Sequence, residues 1–235
     1  YSRGYPSGTF NALAYQDVSP VYFLDPEKVN ASEVGLKTRL LDNKLQLNLA
    51  GFYYDYSNQQ IAQIIGATSF LRAANGRVFG GEAELALQAT DAIRFDASVG
   101  YVNSKYKGNK IDPTDPASLT RNINGNQFPN APKWTASAGV DVTLVDSGPH
   151  KFQVRGDVQY MGKYFFDPFG SYGQNPCDKP AAGSLVLAAT PEIACGNPDY
   201  VLFNARATYT FDERFSVALW GKNLTNKFYY TYGLN

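Results

Sequence analysis

The chain has 235 residues, and its 21 lysines and arginines equal its 21 aspartates and glutamates. This balance gives no reason to expect a nucleic-acid partner. Hydrophobic residues make up 44% of the chain, yet its mean hydropathy is −0.32. No run of about 18 apolar residues occurs, which excludes a bundle of transmembrane helices. The same figures suit a membrane β-barrel, in which strand alternation dilutes the apolar residues.

Taken in order, the chain predicts pairs of strands that are joined by tight turns and separated by longer connections. Residues 1–10 resemble the end of an earlier strand, and residues 11–30 are predicted as a loop. About eight strands follow, at residues 33–41, 45–56, 78–88, 93–101, 132–144, 151–160, 201–211 and 215–219. The tight turns fall at 42–44, 90–91, 146–149 and 212–214, and the long connections at 58–76, 107–131 and 166–199. All tight turns therefore lie at one end, which is typical of an outer-membrane barrel.

The hairpin at residues 132–160 shows the alternation most clearly. Apolar residues such as Val140, Val142 and Leu144 alternate with polar ones such as Asp141, so each strand has two different faces. Both strands exceed the roughly 5–6 residues usual in soluble proteins and reach the roughly 9–11 needed to cross a bilayer. We expect the apolar face to contact lipid and the charged face to line a wet interior. The predicted lipid-facing set is Val140, Val142, Val154, Val158, Leu85, Leu87, Phe95 and Val99, and the predicted inward set is Asp141, Arg155, Glu84, Arg94 and Arg206.

Two more specific expectations follow from this pattern. Asp141 and Arg155 lie at similar distances from the turn, so we expect them to be cross-strand neighbours. The 17 tyrosines and 15 phenylalanines gather near strand ends, which predicts interfacial belts, although ordinary strand aromatics are the alternative. The residues concerned are Tyr53, Tyr54, Tyr56, Tyr101, Tyr106, Tyr160, Tyr164, Phe165, Tyr229, Tyr230 and Tyr232.

The residues that carry most enzyme chemistry are scarce. His150 is the single histidine, so neither a histidine-based triad nor a histidine-rich metal site can be built, and we expect no catalytic site, cofactor or metal site. Glu82 and Glu84 share a face, but wall charges of a polar interior explain them better than an acid–base pair. Cys177 and Cys195 fall in the last long connection. In an oxidising compartment they would form a disulfide, and two free thiols are the alternative.

Several short motifs, in order along the chain, resemble those of TonB-dependent outer-membrane receptors. They are Ser2-Arg3-Gly4-Tyr5, Glu33-Val34-Gly35-Leu36-Lys37, Phe52-Tyr53-Tyr54-Asp55-Tyr56, Gly80-Gly81-Glu82-Ala83-Glu84-Leu85 and the stretch WGKNLTNKFYYTY at residues 220–232. In the last stretch Asn223, Leu224, Thr225, Asn226, Lys227 and Tyr229 match, with Asn226 where the family more often has Asp. The resemblance covers most of the chain.

The resemblance implies a fold and a function. It implies an all-β, antiparallel transmembrane barrel of the 22-stranded type, of which residues 1–235 would be the C-terminal portion without plug domain, signal peptide or closing strand. It implies integral insertion in the outer membrane, with tight turns periplasmic and long loops extracellular. The expected function is TonB-energised import of a scarce nutrient, favouring a ferric siderophore. The expected partners are outer-membrane lipid, a small ligand such as an iron chelate, and the TonB complex through the missing N-terminal part.

Other functions stay open at this stage. A small structural or adhesive barrel fits the number of strands, and a non-energised porin-like channel fits a polar interior. A soluble β-rich lectin or hydrolase fits less well, because its strands would be shorter. If the chain binds a ligand, we expect the contacts at the end with the long connections. The candidate residues are Tyr54, Tyr56, Gln59, Gln60, Arg72 and Arg121, with the Cys177–Cys195 loop beside them.

Overall fold

The computed structural model describes residues 1–10, 23–65, 68–108, 123–166, 168 and 196–231, without the side chains of residues 62–65 and 68–72. Thirteen strands occur in these ranges. They are β1 (Ser2–Gly4), β2 (Thr9–Phe10), β3 (Phe23–Leu24), β4 (Lys28–Leu40), β5 (Leu45–Ile65), β6 (Thr68–Gln88), β7 (Ile93–Lys107), β8 (Trp134–Ser147), β9 (His150–Met161), β10 (Tyr164–Phe165), β11 (Gly196–Asn197), β12 (Tyr200–Phe211) and β13 (Phe215–Gly221). Within the same ranges, no helix is long and apolar enough to cross a membrane.

Nine strands form one antiparallel sheet in the order β1-β4-β5-β6-β7-β8-β9-β12-β13. The all-β antiparallel architecture is confirmed, with β1 added to the eight predicted strands. Two small pairs, β2-β3 and β10-β11, lie outside this sheet. The β2-β3 pair and the start of β4 at Lys28 correct the prediction of a plain loop over residues 11–30. Residues 11–22 fall outside the described residues.

The four tight turns lie at the same end of the sheet, as predicted. Leu41, Asp42 and Asn43 take positive φ values in the first turn, and Asp212 and Glu213 do so in the last. Neighbouring turns are joined by backbone hydrogen bonds, from Gln88 N to Lys44 O at 2.8 Å and from Asp212 N to Pro149 O at 2.7 Å. Such closely linked turns hold the strands in one fixed register.

The prediction of a long loop at residues 58–76 is wrong. Strand β5 continues to Ile65 and β6 begins at Thr68, so the two form a hairpin with 21 residues in each strand. The alternation is interrupted because a β-bulge shifts the register between Tyr56 and Gln59, with Asn58 at a φ of 56°. Because the bulge shifts the alternation by one residue, the sequence pattern did not predict the second half of the strand. Strand β7 likewise runs beyond its predicted end, to Lys107.

The register separates the two predicted faces of the sheet. Val142 lies opposite Val154 and Val140 opposite Gly156, whereas Asp141 lies opposite Arg155. Directly opposed residues share a face, so the same separation extends from β4 to β12. All eight residues of the predicted lipid-facing set lie on one face, called here the apolar face. All five residues of the predicted inward set lie on the other, the polar face.

A second bulge corrects the pairing near the turn of the β8-β9 hairpin. The register shifts between Thr143 and Val145, so that Val145 rather than Leu144 lies opposite Phe152. The strict alternation predicted through Leu144 therefore ends at Thr143. The extra residue increases the local twist of the hairpin where it approaches the tight turn.

Candidate functional site

The polar face carries a charged cluster in its lower half, towards the tight turns. The guanidinium of Arg155 forms ion pairs with Asp96 at 2.8 Å, with Asp157 at 2.6 Å, and with Asp141. The three aspartates lie on β7, β9 and β8 respectively, so one arginine ties three strands together. The predicted contact of Asp141 with Arg155 is therefore confirmed. Since three carboxylates share one cation, the cluster is a polar wall element and lacks the separated pair of groups that acid–base chemistry needs.

The upper half of the polar face is aromatic. The Tyr54 hydroxyl donates to Glu33 Oε1 at 2.6 Å, which fixes the ring against β4. Its ring stacks on that of Phe52, with centroids 5.2 Å apart and planes at 21°. This arrangement presents a held ring and a carboxylate side by side on the polar face. Such a pair can contact the flat and polar parts of a small ligand.

The segment at residues 123–131 folds back over this face. Phe128 packs against Tyr106 with ring centroids 4.5 Å apart and against Tyr56 at 5.9 Å. Its backbone N donates to Ser104 Oγ at 3.2 Å. Tyr106 and Ala74 are each 2% exposed beneath it. The apolar core of this end of the molecule, formed by Ile61, Ala74 and Tyr106 with Ile123 and Phe128 around them, therefore lies on the polar face.

Gly76 makes room for this packing. A Cβ atom added at Gly76 would lie 2.8 Å from Phe128 Cε1, closer than real Cβ contacts come. Gly76 lies opposite both Tyr56 and Tyr106 in the sheet, so the Phe128 ring rests on bare backbone between two tyrosines. The sequence placed Tyr56 near the long connections, but gave no sign that Phe128 would cover it.

The structure brings together only some of the six predicted ligand residues. Tyr54, Tyr56 and Gln59 share the polar face, because the bulge restores Gln59 to the face of Ala74. Gln59 Oε1 is buried and has no hydrogen-bond partner among the described residues. Gln60 lies on the opposite face, where its Nε2 donates to Ser7 O at 3.3 Å. Of Arg72 only the backbone is described, within β6. Arg121, Cys177 and Cys195 lie outside the described residues.

Two buried asparagines make hydrogen bonds at the ends of the long connections, and neither was predicted from the sequence. Asn197 is 1% exposed, and its Nδ2 donates to the Tyr164 hydroxyl at 2.8 Å and to Tyr230 O at 2.5 Å. Its Oδ1 accepts from Tyr230 N at 2.8 Å. The side-chain amide of Asn197 therefore pairs with the backbone N–H and C=O of Tyr230, as a neighbouring strand would. Asn126 is 7% exposed and donates from Nδ2 to Pro168 O at 2.9 Å. Nothing in their local sequence distinguishes these residues from ordinary loop asparagines.

No metal site occurs within the described residues, where no group of three His, Cys, Asp or Glu side chains is arranged to hold an ion. The polar face instead offers hydroxyl, carboxylate and aromatic groups. Such groups can contact the polar and flat parts of a small ligand.

The apolar face ends at aromatic residues on the side away from the tight turns. Tyr53, Phe79, Tyr101 and Trp134 lie there, with ring centroids 6.4 Å apart for Phe79 and Tyr101 and 4.7 Å for Tyr101 and Trp134. From Leu45 to Tyr53 the apolar face extends about 27 Å along the strand, or about 20 Å for a strand tilted by about 40°. This is close to the apolar band of about 25 Å in membrane barrels. Of the residues predicted for the belts, Tyr53, Tyr101 and Tyr160 lie on the apolar face, whereas Tyr54, Tyr56 and Tyr106 lie on the polar face.

An antiparallel sheet with one apolar face, one polar face and an aromatic edge defines the wall of a membrane β-barrel. The sequence matches the family described as TonB dependent receptor-like, beta-barrel over residues 1–224. The chain belongs to this family of outer-membrane barrel receptors, which are transport receptors and not enzymes.

Known proteins of this kind are similar to the chain in sequence and in fold. A probable TonB-dependent siderophore receptor, PiuA, of Acinetobacter baumannii is 26% identical over 209 residues, covering 88% of this chain and 24% of the relative. The ferric yersiniabactin uptake receptor FyuA from Yersinia pestis superposes with a TM-score of 0.72 at 17% identity, over 100% of this chain and 30% of that receptor. BauA, the ferric preacinetobactin receptor from Acinetobacter baumannii, gives 0.61 at 16% identity, over 96% and 29%. The chain thus spans about a quarter of the length of its curated relative.

Proposed function

We propose that this chain forms part of the wall of a larger outer-membrane barrel that imports a ferric siderophore with energy from TonB. Membership of the receptor family supports the proposal. So do the names of the relatives, which describe a siderophore receptor and receptors for ferric yersiniabactin and ferric preacinetobactin. The observation that carries it within the chain is the aromatic and carboxylate surface of Glu33, Phe52 and Tyr54 at one end of the polar face.

In this proposal the apolar face contacts lipid and the polar face lines the interior. Arg155 lies in the interior of β9, and exposing it near the middle of a bilayer would cost about 2–4 kcal/mol, so the reverse orientation is disfavoured. The tight turns would then lie in the periplasm and the longer connections outside the cell. The outer-membrane receptor family is consistent with both placements.

The ligand would meet the receptor at the end of the long connections. Tyr54 would contact it from the wall, and Tyr56 and Gln59 would join it if Phe128 moved away from Tyr56 and Tyr106. Arg72, Arg121 and the Cys177–Cys195 loop are proposed contacts that rest on sequence alone, and a disulfide there would reduce the entropy lost when the loop orders on the ligand. Gln60 is the weakest of the candidates, since it is held on the opposite face by Ser7 and Glu27.

Family membership disfavours a small adhesive barrel and a passive channel. An adhesive barrel predicts no uptake, and a passive channel predicts uptake that needs no energy from the inner membrane. A direct test is uptake of radioactive iron by cells that lack their own receptors and express the intact receptor containing this chain. The panel should contain one catecholate, one hydroxamate and one phenolate ferric siderophore. We expect uptake of at least one chelate, and loss of that uptake when TonB is deleted. Uptake that persists without TonB would support a passive channel instead.

A further inference from the structure

A row of basic residues crosses the apolar face just beyond its aromatic edge. The register places Arg3 opposite Asn30, Asn30 opposite Asp55, Asp55 opposite Arg77, and Arg77 opposite Lys105. Directly opposed residues share a face, so this row runs over five strands from β1 to β7. Lys28 and Lys107 lie on the same face, two residues further from the tight turns. We call Arg3, Lys28, Arg77, Lys105 and Lys107 the basic row.

The position of the basic row relative to the aromatic edge fixes its depth. Tyr53 and Phe79 lie two residues closer to the tight turns than Asp55 and Arg77, on the same strands and the same face. The Arg77 guanidinium carbon lies 5.5 Å from the centre of the Phe79 ring, so the two side chains are in contact. Aromatic rings mark the boundary of the hydrocarbon region, and long cationic side chains reach from it towards the headgroups. The basic row therefore lies at headgroup depth.

Within the described ranges, the row contains more cations than carboxylates. Asp55 is the acidic member, and it pairs with Lys107 at 2.9 Å. Five cations and one carboxylate leave a net charge of +4. Arg77 Nε is buried and lacks a hydrogen-bond partner within the described residues. Lys105, directly opposite Arg77, is exposed. Guanidinium groups favour phosphate oxygens because their planar donors match two of them at once.

We propose that the basic row binds the phosphate groups of lipid headgroups in the leaflet at the long-connection end of the barrel. The row spans four strand spacings, or about 19 Å, which is too wide for one inorganic phosphate ion and suits headgroups that lie side by side. Its continuity with the aromatic edge points to a lipid rather than a soluble partner. The inference rests on the proposed membrane orientation of the sheet, but not on which ligand the receptor imports.

The test uses the intact receptor and a phosphorylated lipid. The purified receptor is reconstituted in phosphatidylcholine with lipid A or with lipid A stripped of its phosphates, and the lipid retained after extraction is measured by mass spectrometry. The test variants are Lys105→Gln, which alters an exposed side chain, and the double variant Arg77→Gln/Lys105→Gln. The matched control is Lys37→Gln/Arg39→Gln, which removes two cations from the polar face of the same sheet. Iron uptake is measured in parallel, so that failure of the import proposal is seen separately.

We expect each cation removed from the basic row to lower retention of phosphorylated lipid A about fivefold. The control should match the unaltered receptor, and the dephosphorylated lipid should be retained equally by all variants. Asp55→Asn, which removes the acidic member, should raise retention. Equal retention of phosphorylated lipid by test and control variants would overturn the proposal. So would equal retention of the two lipids by the unaltered receptor, or displacement of the lipid by inorganic phosphate alone.

Discussion

Arg155 reaches Asp96, two strands away, because Gly139 on the intervening strand has no side chain. A Cβ atom at position 139 would lie 2.9 Å from Arg155 Cζ and 3.0 Å from Asp157 Oδ1. The guanidinium therefore lies directly over the backbone of β8, where it also meets Asp141. One missing methyl group allows a single cation to join three strands of the wall.

The first prediction concerns this gap. Gly139→Ala should displace Arg155 from Asp96 and lower the free energy of unfolding by about 1–2 kcal/mol. The estimate is modest because the side chain of Arg155 is about a third exposed, at 31%, and water weakens its ion pairs. Gly156→Ala on the neighbouring strand is the matched control, since a Cβ there meets nothing within 4 Å. Urea unfolding of the intact receptor in detergent measures both variants, and equal stability of the two would show that the gap is unimportant.

The second prediction concerns Asn197 and the segment around Tyr230. Asn197→Ala removes three hydrogen bonds that hold this segment to the base of the longest connection. Each is worth about 1 kcal/mol, so transient opening should increase by tenfold or more. Cleavage by trypsin after Lys227 reports this opening. Asn103→Ala, which removes one amide contact to the Tyr101 hydroxyl, should leave the cleavage rate unchanged. A rate unchanged in Asn197→Ala as well would mean that other contacts hold the segment.

The third prediction concerns the cover over the polar face. Phe128→Ala removes the ring that packs on Tyr56, Tyr106 and Gly76. Hydrogen exchange at the Gly125 and Tyr106 amides should accelerate, because the packing that protects their backbone hydrogen bonds is lost. Phe95→Ala, at the opposite end of β7, is the control and should not affect these amides. Protection that survives in Phe128→Ala would show that the backbone hydrogen bonds suffice.

The sequence predicted those features of the fold that depend on residues close together in the chain. The contact of Asp141 with Arg155 could be predicted because strict alternation and one tight turn determine both face and register. The extent of β5 could not, because the bulge after Tyr56 reverses the phase of the pattern. Tyr54 was found through its position near a strand end. Its partner Glu33 is 21 residues away, and only the register reveals that they touch.

Two residues at the end with the long connections could not be predicted from the sequence. Phe128 and Asn197 act through contacts with strands distant in the chain, and neither lies in a periodic segment. Asparagine is common in turns and loops whatever it contacts, so its presence there does not indicate burial. Burial of a single asparagine is decided by the assembled fold, so composition and spacing could not indicate it.

The fourth prediction concerns the longest connection. Replacing residues 183–190 by a glycine–serine segment of equal length should lower both affinity and uptake of the imported ferric siderophore, by about tenfold if the segment supplies one well-packed contact. The receptor should still insert and unfold normally, because every strand of the nine-stranded sheet is retained. Unchanged affinity and uptake would limit this segment to shielding the mouth of the barrel.

The most direct test of the account compares two adjacent tyrosines on opposite faces of β5. Tyr54 lies on the polar face and is held by Glu33, whereas Tyr53 lies on the apolar face and is 43% exposed. Affinity of the intact receptor for the ferric siderophore it imports should be measured by fluorescence quenching for Tyr54→Ala and Tyr53→Ala. The account predicts a loss of about fivefold to tenfold for Tyr54→Ala, as expected for one aromatic contact, and no change for Tyr53→Ala. Equal affinities, or a loss confined to Tyr53→Ala, would contradict the claim that the polar face receives the ligand.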